Sequence, residues 1–499
     1  MNITTANDQL YTSSQIYTID QNFIASGIAS IQLMKRAAES AFDLLQQQYK
    51  NIPVRIFCGG GNNAGDGYLL AGLLAQRKHD VDVIQLVPSH LLKNDALVAY
   101  QFAQENGVSF YQLDSQPEIK NAVLVDALLG IGAKGAPRME FAKAIERMNQ
   151  SRLPIVALDL PSGLDADTGH APGAVVYASK TISFIALKAG LLTGKGPAVC
   201  GEIILADLRI PADVLSQQIA ESEIIHLKQY LEFLKPRKAD AHKGDFGHVM
   251  IIGGDSGFGG AALMAAEAAA RVGAGLVSLA TLPEHIAPAL VRCPEIMARG
   301  VISGQELEPL LSRPSVLVVG PGLGRLPWSE QMLQQAVKSG LPMVLDADAL
   351  NILAEGRVIP AGTKGQWLLT PHPAEAARLL GKTTAEIQFN RFQSIKELHQ
   401  RYDASVILKG AGSLVLGHSG KIGLVTAGNP GMATGGMGDV LSGILGGLLA
   451  QGLSMENGAK LGSVLHAMAA DNAAEVLGQP GLMATDLIPH LCQILRDRA

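Results

Sequence analysis

Cysteine is scarce in this chain. Four residues in 499, Cys58, Cys200, Cys293 and Cys492, stand far apart, with no C-x-x-C pair and no zinc spacing. That excludes a disulfide framework and a structural zinc site, and the four are expected to be reduced and mostly buried. A basic excess is also missing. The net charge is −5, which leaves no electrostatic footprint for nucleic acid, and no Lys/Arg block marks a membrane surface. Long hydrophobic runs are absent as well. The longest uncharged stretch near the C-terminus, Val440–Met455, is interrupted by glycine and too short for an easy membrane span. The opening M-N-I-T-T-A-N-D-Q-L has neither a basic start nor an apolar core, so no signal peptide is expected. The expectation is a soluble, cytoplasmic protein with neither nucleic acid nor membrane as partner.

Glycine, by contrast, is plentiful at 55 residues, above the usual ~7%. Glycine turns between alternating strands and helices would explain that. The length is too great for one core and implies two large α/β domains. Apolar positions Ile31, Met34, Ala38, Phe42 and Leu45 recur at helical spacing within a helical stretch from about Thr12 to Tyr49. Short apolar runs follow at Val54–Cys58, Val81–Val87, Ala122–Asp126, Ile155–Leu160 and Thr181–Ala186, several separated by helical segments. This is βαβ rhythm and predicts a mostly parallel sheet. Leu208–Asp245 changes character, with Pro211, a polar run and K-P-R-K-A-D-A-H-K-G-D, and we place a junction near Glu221. The two domains are then 1–220 and 221–499. Beyond the junction the rhythm restarts, with strands at His248–Ile252, Leu276–Ala280, Val316–Val319, Met343–Asp346, Trp367–Thr370 and Val406–Leu408. A helix packed closely through alanines is expected at Ala261–Val272.

Most of the chemistry is carried by G-N-P-G-M-A-T-G-G-M-G-D, Gly428–Asp439. Five of the eleven residues from Gly428 to Gly438 are glycine, and they run into one acid and an apolar helical pattern. Such a turn at a helix start leaves backbone N–H groups pointing outward, a ready anion site. A carboxylate there repels a bound phosphate but can deprotonate a hydroxyl that attacks it. The segment therefore points to phosphoryl transfer to an alcohol, with Asp439 as base. A tight loop before a buried helix is the plain alternative.

In the first half, C-G-G-G-N-N-A-G-D-G at 58–67 follows the first of those strands and precedes a helix. Its glycines let backbone approach a phosphate, and its asparagines and aspartate offer oxygens to a hard cation. Asp126 and Asp159 end two further strands, and Ser162 follows in D-L-P-S-G-L-D. Three such strand ends can converge on one crevice; helix capping is the alternative for either acid alone. Gly130–Gly135 formally matches G-x-G-x-x-G, but it follows a late strand of the sheet. A phosphate loop is favoured over a hydride-transfer fingerprint.

G-G-G-N-N-A-G-D-G at 59–67, V-D-A-L-L-G-I-G at 125–132 and D-L-P-S-G-L-D at 159–165 together resemble the NAD(P)H-hydrate epimerase family, over about Met1 to Ala220. The family usually has glycine where Ala64 stands. The resemblance implies a Rossmann-like fold that binds potassium and a nicotinamide dinucleotide carrying water on its reduced ring. By position, Asn63, Asp126 and Ser162 would ligand K+. Asn62, Asn63, Ala64, Gly65 and Asp66, with Gly130, Ile131, Gly132, Ala133, Lys134, Gly135 and Ala136, would hold the dinucleotide. Asp159 would act at the ring.

In the second half, H-K-G-D-F-G-H at 242–248, G-P-G-L-G at 320–324, T-P-H-P-A-E at 370–375 and the glycine-rich segment resemble the ribokinase-like ADP-dependent NAD(P)H-hydrate dehydratase family, over about Leu227 to Ala499. The resemblance implies that Asp439 deprotonates the hydroxyl of the hydrated ring, which then attacks the β-phosphoryl group of ADP or the γ-phosphoryl group of ATP. Loss of phosphate restores the dihydronicotinamide. By position, Ala262, Gly324, His372 and Asp439 would contact the hydrate. Lys409, Gly410, Ala411, Gly412, Ser413 and Gly438 would contact the adenine nucleotide, and Glu375 would position Mg2+ through water. Jointly the halves resemble a bifunctional NAD(P)H-hydrate repair enzyme acting on the R and S hydrates of NADH and NADPH, and a homo-oligomer is the accompanying expectation. A ribokinase-like small-molecule kinase and a non-enzymic binding module are the rival readings.

Overall fold

The computed structural model describes residues 3–4, 8–115, 120–234 and 236–496. Lys235 in the basic run, and part of the opening decapeptide, lie outside the described residues. The chain divides into two compact units, Met1–Glu223 and Ile224–Ala499.

The first unit is built on strands β1 (Ile3–Thr4), β2 (Gln9–Leu10), β3 (Val54–Cys58), β4 (Val81–Gln85), β5 (Ser109–Tyr111), β6 (Val123–Ala127), β7 (Ile155–Leu158), β8 (Lys180–Phe184) and β9 (Glu202–Ala206). Eight of them form a parallel sheet in the order β1-β9-β8-β7-β6-β3-β4-β5, while β2 pairs antiparallel with Ser222 and Glu223. All of β6 and β7 is buried, which is why these strands read as unbroken apolar runs. The helical stretch Thr12–Tyr49 is two helices, Ser13–Ala25 and Ser30–Gln48. The break falls at Gly27, whose φ of +108° favours glycine and ends a helix. The run at 58–67 is less of a loop than its glycines imply: the helix Asn62–Gln76 already starts at Asn62. Gly67 is there for packing, since a Cβ on it would sit 2.6 Å from Ala127 Cβ and 2.9 Å from Cys58 Sγ.

The second unit carries β10 (Ser222–Ile224) at its boundary, then β11 (His248–Ile252), β12 (Leu276–Thr281), β13 (Met297–Gly300), β14 (Val316–Val319), β15 (Met343–Leu345), β16 (Trp367–Leu369), β17 (Ser405–Leu408), β18 (Ser413–Leu416) and β19 (Ile422–Val425). The order β13-β12-β11-β14-β15-β16-β17 is parallel, and β18 and β19 extend it antiparallel. The helices Gly259–Val272 and Met437–Ala450 pack through small residues. A Cβ on Gly443 would lie 2.0 Å from the Ala265 carbonyl oxygen, so only glycine permits that approach.

In each unit the chain fills one side of a central strand and then returns to fill the other. The reversals lie between β3 and β6 and between β11 and β14. Crevices at the carboxyl ends of strands beside such a reversal are where ligands bind in open α/β sheets.

Candidate active sites

In the first unit the helix Asn62–Gln76 starts from Gly61 with no side-chain cap. Residues at its start line a cavity of about 700 Å³ together with Gly60, Asp66, the loop Leu128–Arg138 and Asp159. At one wall the Asn63 amide donates to the Leu129 carbonyl at 2.9 Å, and the Leu129 N–H donates to Ser162 Oγ at 2.9 Å. Ser162 donates to Asp126 from its hydroxyl at 2.6 Å and its backbone N–H at 2.7 Å. Asp126 is not a helix cap; it lies within β6, fully buried. Burial pushes its carboxyl up to about 6 even against the Ser162 and Leu128 hydrogen bonds. Asn63 Oδ1 is buried without a hydrogen-bond partner. Asn63 and Ser162 thus meet at the Leu129 carbonyl, Asp126 joins them through Ser162, and an acceptor is left to spare.

Asp159 stands just past β7 with φ +67°, a strained value for a non-glycine residue. It accepts from the Phe184 N–H at 3.1 Å and is ion-paired with Lys188. Lys188 is wholly buried and also donates to Ser183 Oγ at 3.1 Å and the Phe184 carbonyl at 2.7 Å. Burial pulls its ammonium below the ordinary value against the opposing pull of Asp159. Beside this pair, burial, and then Asp159 and Asp20, hold the Asp66 carboxyl well above the carboxylate range. A carboxyl raised in this way beside an ion-paired carboxylate can give and take protons at a single ligand.

The second unit centres on Asp346, delivered by β15 and 1% exposed. It accepts from Lys409 Nζ, Thr370 Oγ1 and Ser442 Oγ, each at 2.8 Å. Burial would raise its carboxyl, but Lys409 and the two hydroxyls outweigh that and hold it below the ordinary value. Lys409 Nζ also lies 4.0 Å from Glu375. Burial lifts Glu375 to about 7 and, with Asp346, lifts Asp439 to about 7, Lys409 opposing both. Asp439 sits in the first turn of the helix Met437–Ala450, whose cap is Gly436 at φ +91° with no side-chain hydrogen bond. A Cβ on Gly438 would come within 3.3 Å of Lys409 Nζ. This is an ionised lysine–aspartate pair, an uncapped helix start, and a base poised near neutrality.

His372 caps the helix Pro373–Leu380; its ring Nδ1 accepts from Ala374 N–H at 3.1 Å, and its own N–H donates to Glu375 at 2.7 Å. Gly324 donates to Asp348 at 2.9 Å, and Asp348 acts electrostatically on Asp439. Lys409–Ser413 joins β17 to β18. Ala262 is fully buried beneath Gly253 and Gly254. Ala64 and Gly65 are buried in the helix behind the cavity. The stretch Gly130–Ala136 lines the cavity, but its Lys134 ammonium is engaged with Asp167 at 3.2 Å and Asp165 at 3.4 Å. Asp66 stands among the acids, beyond the dinucleotide role given to it.

Sequence reasoning missed Lys188, the hub role of Asp346, Asp471 and Arg391. Asp471 accepts from the Gly428 N–H and the Asn429 amide, each at 2.8 Å, and so pins the glycine-rich loop. Arg391, 1% exposed, donates to the carbonyls of Leu408, Lys409 and Gly412 at 3.1–3.4 Å. A signal existed for Asp346, an acid at a strand end; Lys188, Arg391 and Asp471 have none.

Two family models match the chain. The one described as YjeF-related protein N-terminus matches residues 30–190, and the one described as NAD(P)H-hydrate dehydratase matches residues 249–493. The bifunctional NAD(P)H-hydrate repair enzyme Nnr of Coxiella burnetii is 44% identical over 483 residues, 97% of this chain and 98% of that one. The Escherichia coli protein of the same name is 42% identical over 470 residues, 94% and 90% of the two chains. Among solved structures, a ribokinase-like superfamily protein of Enterococcus faecalis covers 56% of this chain and 98% of its own, at 27% identity and TM-score 0.52. The ADP/ATP-dependent NAD(P)H-hydrate dehydratase of Bacillus subtilis, co-crystallised with ATP and Mg2+, covers 55% and 98% at 26% identity and TM-score 0.50. With both models matched in order and relatives aligned along nearly its whole length, the chain belongs to the family of bifunctional NAD(P)H-hydrate repair enzymes.

Proposed function

We propose that residues 1–220 interconvert the R and S hydrates of NADH and NADPH, and that residues 221–499 dehydrate the S form, converting ADP to AMP and phosphate. The observation that carries the reading is Asp439, a carboxylate poised near 7 at an uncapped helix start beside the Lys409–Asp346 pair. Asp439 takes the hydroxyl proton of the hydrate. The alkoxide attacks the β-phosphoryl group of ADP, while the N–H groups at Gly435–Gly438 and the Lys409 ammonium balance charge on the phosphoryl oxygens. Phosphate leaves more readily than hydroxide, and the ring nitrogen's lone pair expels it to restore the dihydronicotinamide. Asp346 keeps Lys409 charged and aimed. Glu375 fits a Mg2+ held through water rather than in a protein cage, since no group of three or more His, Cys, Asp or Glu among the described residues could hold a metal. Mg2+ would supply charge neutralisation on the phosphates.

In the first unit, epimerising the carbon that bears the hydroxyl requires a bond there to open and close with proton transfer. Asp159, ion-paired with Lys188, and Asp66, whose carboxyl burial holds well above the carboxylate range, supply a base and an acid on the cavity wall. Potassium fits Asn63, Asp126 and Ser162: the orphan oxygen of Asn63 supplies a neutral donor beside a buried carboxylate, and the ion would offer charge to the dinucleotide. We extend the reading to a cytoplasmic homo-oligomer; no helix among the described residues is long and apolar enough to cross a membrane. The test is to mix hydrated NADH with ADP and follow the dihydronicotinamide absorbance. Its return supports the repair reaction, a stable phosphorylated product supports a kinase, and no change supports a binding module.

A further inference from the structure

The helix Ser13–Ala25 precedes the residues matched by the first family model, which begin at 30, yet Ile16, Tyr17 and Asp20 line the cavity. Tyr17 is 63% exposed while Ile16 below it is buried. Tyr17 and Asp20, three residues apart, share one helix face. That face leads to the reacting groups, because Asp20 and Asp159 both act electrostatically on Asp66. The helix is a fixed wall. Thr12 and Gln15 form a capping box at its start, and Ser13 donates to Asp167 from its backbone at 2.5 Å and its hydroxyl at 2.7 Å. The same Asp167 takes the Lys134 ammonium of the Gly130–Ala136 loop. One carboxylate therefore ties the helix that presents Tyr17 to the loop on the cavity rim.

We propose that Tyr17 is a substrate-binding residue of the epimerase, its ring stacking on the hydrated nicotinamide ring and covering the water side of the Asp159–Asp66 end of the cavity. This rests on reading the first unit as the epimerase. The hydrated ring keeps one double bond conjugated to its nitrogen and carboxamide, and an exposed phenol on a rigid helix packs against that face at little entropic cost. Covering that side keeps bulk water from the proton transfer.

The test uses the full chain with Tyr17→Ala and Tyr17→Phe. Epimer exchange is followed by chromatographic separation of the R and S hydrates of NADH (R- and S-NADHX), alongside ADP-dependent dehydration of pure S-NADHX. Tyr17→Ala raises KM for epimer exchange about tenfold with kcat changed less than about threefold, Tyr17→Phe stays within about twofold, and dehydration is untouched. Hydrated reduced nicotinamide mononucleotide, which lacks the adenylate, shows the same loss. An unchanged KM in Tyr17→Ala overturns the proposal. So does a loss that vanishes with the mononucleotide, which would move Tyr17 to the adenylate end. A wild-type chain that does not exchange the epimers overturns the epimerase reading itself, and this one with it.

Discussion

Asp439 illustrates how one side chain ties reactivity to a structural cost. Asp439→Asn removes a base typically worth ~10²–10⁴-fold, so ADP-dependent recovery of NADH falls by that order while epimer exchange continues. Because burial and Asp346 lift Asp439 to about 7, wild-type dehydration gains kcat/KM as pH rises through about 7 and levels off above it. A flat profile from pH 5.5 to 8.5 would count against the assignment. The same shift works against stability. The folded value lies above the unfolded one, so ionisation opposes folding: nothing is lost below about pH 4, and the cost grows until about pH 7. The neutral replacement should therefore melt higher than wild type at pH 8, by at least ~1 kcal/mol after discounting for partial exposure, and the advantage should shrink towards pH 4. Equal melting at pH 8 would show that the carboxylate is not strained. The acid before the apolar helix made Asp439 legible in sequence. Lys188 was not, because a lysine closing an apolar run reads as the strand's solvated end, and only the fold buries it against Asp159.

Elements were legible where their periodicity was long. β3, β11 and β14 fall where the apolar runs place them. The short edge strands β5 and β13 were not, since three or four half-exposed residues carry little pattern. β9, with Glu202 at its head and partly exposed positions, was lost for the same reason. Alanines at Ala261–Val272 did announce close packing, but not its partner. That partner, the helix Met437–Ala450, bears both Asp439 in its first turn and Gly443, so packing and the proposed chemistry are mechanically joined. Gly443→Val forces side-chain atoms into the Ala265 backbone and should cost ~3 kcal/mol or more. Dehydration would be lost with the earlier melting of the second unit, and epimer exchange would persist at temperatures where the first unit stays folded. A variant that melts like wild type would refute this packing.

For the whole molecule, two chemistries in one chain predict a divided phenotype. Asp159→Ala should let a mixed-epimer substrate be consumed only to the S fraction, after which dehydration stalls at the rate of spontaneous epimerisation. Complete conversion at the wild-type rate would remove Asp159 from the epimerase. Replacing potassium with a large organic cation should likewise slow epimer exchange and leave dehydration of pure S-NADHX unaffected. Equal slowing of both, or of neither, would argue against a cation at Asn63, Asp126 and Ser162. The two-part organisation showed in the sequence as a rhythm that stops and restarts. The convergence of Asn63 and Ser162 on the Leu129 carbonyl did not, because a backbone oxygen has no signature in side-chain identity.

Arg391 grips the Lys409–Ser413 connection through main-chain oxygens, and it also donates to the side-chain amide of Gln388. Every amino acid carries such an oxygen, so these bonds hold the path without choosing a side chain, and glycine is required where φ is positive, at Gly410 and Gly412. The exposed Ala411 at its tip is thereby left to drift between lineages at little risk to the fold. For the same reason it is a natural place to begin when testing whether this connection sets a nucleotide preference.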